Sequence, residues 1–138
     1  MHPVTLAAIL VLVVNDWALK PRFAGAVTGK LSDVAGLVFA PLVLSAAIGL
    51  VLALAARLGA RVDPRLTHRR LVACIAVTGA SFAAVKLSPA AALVFVRALS
   101  LVGFHAHIAL DRTDLFALPA LAVAYWIGLD ELRRSAPR

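Results

Sequence analysis

The residues able to do chemistry in this chain are few, and they stand at the ends of apolar runs. Lys30, Ser32 and Asp33 lie in TGKLSDVAGLVFAP, residues 28–41, directly before a stretch that carries no further charge until Arg57. Lys86 sits between Val85 and Leu87 at the end of a second apolar run, and Asp111, Thr113 and Asp114 precede a third. Asn15 and Asp16 close the first. Gly29-Lys30 raises the question of a phosphate-cradling loop, which needs G-x-x-x-x-G-K-[ST]. Gly25 is one residue too close to Gly29 and Leu31 takes the place of the hydroxyl, so that chemistry is excluded.

Aspartates and lysines at a membrane face can hold a small polar ligand, an ion or a lipid head group. Asp33 and Asp114 would set the charge, while Lys30 and Lys86 would hold an anion or orient the carboxylates. The same groups could supply a general base and electrostatic stabilisation to an enzyme acting on a lipid or isoprenoid phosphate. The D-x-x-D at Asp111–Asp114 lacks, however, the D-G-x-x-A-R surroundings of the CDP-alcohol phosphotransferases. His105 and His107, followed by Asp111 and Asp114, are weak candidates for a metal site. An H-x-H pair shares a side only in extended chain, because on a helix the two rings diverge by about 200°.

These residues must be positioned by membrane helices. The chain has 138 residues, 62% of them hydrophobic and only 15% charged, with a mean hydropathy of +0.95. Soluble domains run at roughly 45–50% apolar. A net charge of +7 would point to nucleic acid in a soluble protein. Here no basic run is interleaved with aromatics, and the excess reads as topogenic or as attraction to anionic membrane lipids. The single Cys74 excludes an internal disulfide and reads as a small packing residue. The N-terminal MHPVTLAAILVLVV has no basic residue before its apolar core and reads as a retained span, not a cleaved signal peptide.

A helix needs about 20 apolar residues to span the hydrocarbon. The sequence predicts an all-α integral membrane protein, one transmembrane domain over 1–138, with four spans at about 3–19, 34–56, 71–87 and 115–129. Residues 89–110 are long enough to cross, but Arg97 near the centre disfavours it, so they read as a re-entrant or interfacial helix, with five spans as the alternative. Four spans put Arg57, Arg61, Arg65, Arg69, Arg70, Arg133, Arg134 and Arg138 on one side, eight basic residues against six. The positive-inside rule then places both termini in the cytoplasm of a bacterial cell. Loops 20–33 and 86–114 share the opposite face, where Asn15, Asp16, Lys30, Asp33, Lys86, Asp111 and Asp114 gather.

Ser32-Asp33 and Thr113-Asp114 each place a hydroxyl and a carboxylate before an apolar run, which predicts helix N-caps at both points. Stripes of small residues, Ala46-Ala47 with Gly49 and Ala53, and Gly79-Ala80 with Ala83-Ala84, permit close helix packing. A bundle this small would need a second copy to enclose a transport pathway. No charge lies at mid-depth in the longest spans, so the polar residues describe a one-sided pocket and not a channel.

Four stretches together, NDWALK at 15–20, TGKLSDVAGL at 28–37 with Pro41 beyond, Phe82 with Lys86, and DRTDLFALP at 111–119, form a pattern. It resembles a group of small bacterial multi-span membrane proteins with a TGKLSD motif and a later D-x-T-D-L motif. In that group the later motif usually reads D-P-T-D-L, where Arg112 stands here. The resemblance implies topology and pocket residues and carries no reaction or cofactor. The expectation is a polytopic membrane protein whose extracytoplasmic face holds a polar pocket. The other two readings are the lipid-phosphate enzyme above and a structural subunit of a membrane complex.

Overall fold

The computed structural model describes residues 10, 13, 14, 26–101, 103, 108 and 110–135. Among them every regular element is helical. Helix α1 (Ala26–Arg57) is followed by α2 (His68–Leu87), α3 (Pro89–Leu101), a 3-10 helix (Arg112–Ala117) and α4 (Ala120–Ser135). Among the described residues, three segments are long and apolar enough to cross a membrane: Gly29–Arg57, His68–Leu87 and Arg112–Arg134. The expected first span at 3–19 lies outside the described residues, apart from helical positions 10, 13 and 14.

The helix ends follow from local chemistry. α1 runs for 32 residues, about 48 Å at 1.5 Å per residue, and passes straight through Pro41. It ends in a Schellman motif at Gly59, whose φ of +93° no side chain adopts cheaply. Ala60 N–H donates back to the Ala55 carbonyl and Gly59 N–H to that of Ala56. α2 begins behind Thr67, whose hydroxyl accepts from the Arg70 amide at 3.2 Å. It stops at Ser88, which donates its amide to Ala84 and accepts at its hydroxyl from Ala91, so one residue closes α2 and opens α3 at Pro89. Lys86 is thereby fixed in the last turn of α2.

Two expectations are corrected. Ser32 and Asp33 are not helix caps, because α1 is already helical at Ala26 and both residues lie more than one turn inside it. The cap before the last segment is Asp111, whose Oδ1 accepts from the Thr113 amide at 2.8 Å, so Thr113 and Asp114 belong to the 3-10 helix. Among the described residues of the 89–110 segment, helix runs over Pro89–Leu101, 13 residues or about 20 Å.

α1 packs on α2 and α4, α2 also packs on α3 and α4, and the 3-10 helix touches both α1 and α2. Leu71, Ala124 and Ile127 are fully buried where α2 meets α4, with Cys74 beside them and Ala35, Leu37 and Val38 contributed by α1. Small residues bring the helices together. The place of a Cβ at Gly79 lies 2.8 Å from the Leu121 side chain, and one at Gly128 would overlap Leu71. His68 Nε2 and Tyr125 Oη are hydrogen-bonded at 3.0 Å across the same pair of helices. Away from these seams the helices expose large apolar side chains, Leu50, Val51 and Val94 among them at 63–68%.

Candidate functional site

One end of the bundle holds a charged triad. The Lys86 ammonium lies 2.9 Å from Asp33 Oδ2 and donates a hydrogen bond of 2.6 Å to Asp114 Oδ2. Each residue comes from a different segment: α1, the end of α2 and the 3-10 helix. The side chains are 11%, 19% and 9% exposed for Lys86, Asp33 and Asp114, so the triad is largely withdrawn from solvent. Buried charges require this kind of pairing, since one removed partner leaves the others uncompensated. Phe82, one turn before Lys86, presents its ring 5.6 Å from the ammonium.

The triad stands at the head of a cavity of about 730 Å³, within the range of small-molecule sites. Its walls follow helical periodicity. α1 lines it with Gly29, Ser32, Asp33, Gly36, Leu37, Ala40 and then Leu44, the i, i+3, i+4, i+7 stripe of one helix face. α2 contributes Thr78, Ser81, Phe82, Val85 and Lys86 on the same logic, and Phe95 of α3 closes one side. The cavity is charged at the triad and mostly apolar below it, with Thr78 and Ser81 on the α2 wall. A Cβ placed on Gly29 or Gly36 would meet nothing within 4 Å, so these glycines leave the space open.

Asp111 also lines the cavity. The Thr113 amide that donates to its carboxylate holds its pKa below the ordinary value, and Lys30 and Lys86 act in the same direction. Three carboxylates, Asp33, Asp111 and Asp114, thus face one lysine among the described lining residues.

Of the residues expected at the pocket, Asp33, Lys86, Asp111 and Asp114 come together. Lys30 is exposed and lies outside the cavity lining. Asn15, Asp16, His105 and His107 fall outside the described residues. Among the described residues no three His, Cys, Asp or Glu side chains form a metal-holding group. Sequence reading missed Gly36, Ala40, Thr78 and Ser81; the signal was present in their spacing from Asp33 and Lys86. Compared with known proteins, the chain matches no family model, no curated protein and no solved structure.

Proposed function

We propose that the chain is an integral protein of a bacterial cytoplasmic membrane, and that its Asp33–Lys86–Asp114 cavity binds an amphiphile with a cationic or hydrogen-bond-donating head group. Three long apolar segments and the exposed apolar side chains between their seams support the membrane setting. A fourth span at 3–19 would complete the bundle, with both termini cytoplasmic and α3 lying along the interface, too short at about 20 Å to cross ~30 Å of hydrocarbon.

The single observation that carries the binding reading is the triad standing over an apolar cavity of about 730 Å³. An amphiphile fits such a space head first. Its tail would lie along Leu37, Ala40, Leu44 and Phe95, and its head would meet the carboxylates. The charge selects the head. Lys86 is already held by Asp33 and Asp114, and Asp111 adds a further negative charge, so a phosphate would be repelled where an amine is attracted. This argues against an enzyme for lipid or isoprenoid phosphates.

The test compares amphiphiles of one chain length. Purified protein in maltoside micelles is titrated with dodecylammonium, dodecanol and dodecyl phosphate, and thermal stability is followed. Stabilisation in the order ammonium, alcohol, phosphate is expected, with the ammonium effect weakened by Asp33→Asn and by Asp114→Asn. An effect of equal size for all three head groups would remove the charged triad from the account.

A further inference from the structure

A second polar group is built into the same three segments, further along α1 from Asp33 and against the first turn of α2. Ser45 of α1 is 4% exposed, and its hydroxyl has no hydrogen-bond partner among the described residues. Arg70, in the first turn of α2, donates through Nη1 to the Pro64 carbonyl at 3.1 Å, while its Nε–H is buried and equally unpartnered. Both residues line one cavity of about 100 Å³, walled also by Leu42, Ala46, Leu66, Leu71 and Glu131 of α4.

The arginine is seated deliberately. The position of a Cβ on Gly49 lies 3.3 Å from Arg70 Nη2 and 3.4 Å from the Pro64 carbonyl, so the glycine admits the guanidinium against α1. Unpaired buried donors carry a desolvation penalty that a bound group would relieve. The relief requires an acceptor, because an arginine Nε–H can only donate and the Ser45 hydroxyl is free to do so. The space holds roughly three waters or one tetrahedral oxyanion of similar bulk. Arg57, Arg61, Arg65, Arg69, Arg133 and Arg134 surround this end of the bundle against Asp63, Asp130 and Glu131, which makes its field positive.

We propose that the Ser45–Arg70 cavity is a second binding site, for a single phosphate-type oxyanion, either free or carried on a lipid head group. Arg70 supplies the charge and Nε–H, Ser45 donates its hydroxyl, and Glu131 limits the affinity by its own negative charge. The site is independent of the cavity at Asp33, with opposite charge preference.

The full chain in phosphate-free maltoside micelles is titrated with inorganic phosphate, ionic strength being held constant with chloride, and thermal stability is read. A second arm uses short-chain phosphatidic acid. Stabilisation by phosphate over chloride in either arm is expected, the first arm identifying a free ion and the second a head group. Ser45→Ala should weaken the response at least tenfold, as should R70K, and Glu131→Gln should strengthen it. Asp33→Asn should leave it unchanged. Ser45 makes no bond that holds the fold, so its variant decides the matter if R70K fails to fold. No preference for phosphate over chloride in either arm would overturn the site and leave the cavity to water. A response undiminished in Ser45→Ala would overturn it too, assigning the effect to the arginine-rich surface.

Discussion

Lys86 is the residue on which the charged end of the bundle depends. Without its ammonium, Asp33 and Asp114 would face one another largely buried and with no counter-charge between them. Lys86→Met should therefore cost about 3–5 kcal/mol, read as a loss of stability to denaturant in micelles. Neutralising all three partners together, as K86M with D33N and D114N, should recover most of that loss. A triple variant as unstable as the single one would mean that Lys86 acts through packing and not charge. Asp111 differs, being bound locally to the Thr113 amide. Its folded pKa is depressed, so its cap contributes above the ordinary value of 3.8 and is lost as pH falls through the lower folded value. Wild-type stability should drop over that interval more than that of Asp111→Asn, whose amide oxygen still accepts; thermal melts across pH 2 to 7 compare the two. At this scale the sequence was informative about which residues meet, since a lysine flanked by apolar residues demands carboxylate partners. It misled about Ser32 and Asp33. A polar patch before an apolar run looks the same whether it starts a helix or lies on one face of a helix that began earlier.

The face of α1 is what turns those charges into a site. Gly29, Ser32, Gly36 and Ala40 keep much of the stripe small, with bulk only at Leu37 and Leu44. Gly36→Leu should therefore project a side chain into the cavity from a Cβ that meets nothing within 4 Å. It should also stabilise the helix by about 0.5–1 kcal/mol through the lost glycine penalty. Chemical denaturation together with amphiphile binding checks both halves: a more stable protein that no longer binds. Where helices touch, a glycine has the opposite meaning. Gly128→Ala would drive a methyl into the fully buried Leu71, and a loss of about 1–3 kcal/mol is expected in the same denaturation assay. Both kinds of glycine stood in the sequence as small residues among apolar ones. The stripe with Gly79 was legible as a packing seam. That Gly49 receives an arginine and Gly36 faces open space was not, because spacing along one helix says nothing of what lies opposite.

Among the described residues, two polar clusters stand at separate levels of one bundle. α1, α2 and the segment from Arg112 onward each send one residue to the triad, Asp33, Lys86 and Asp114, and one to the far cavity, Ser45, Arg70 and Glu131. Single cysteines placed at Arg61 and Arg112 in a Cys74→Ser background should be labelled by an impermeant maleimide from opposite faces of sealed vesicles. Labelling from one face would contradict the crossing of α2. Composition made the helical class and the long apolar segments legible. The far cavity escaped notice because it rests on a lone serine and on an arginine that the positive-inside rule had already explained. The central claim, that the Asp33–Lys86–Asp114 cavity holds an amphiphile, is tested most directly by native mass spectrometry of the wild-type chain and Gly36→Leu released from mild micelles. The wild type should carry one amphiphile with a cationic or hydrogen-bond-donating head group at fixed stoichiometry, and the variant should be folded and bare. A wild type without bound molecule, or the same molecule retained equally by Gly36→Leu, would contradict it.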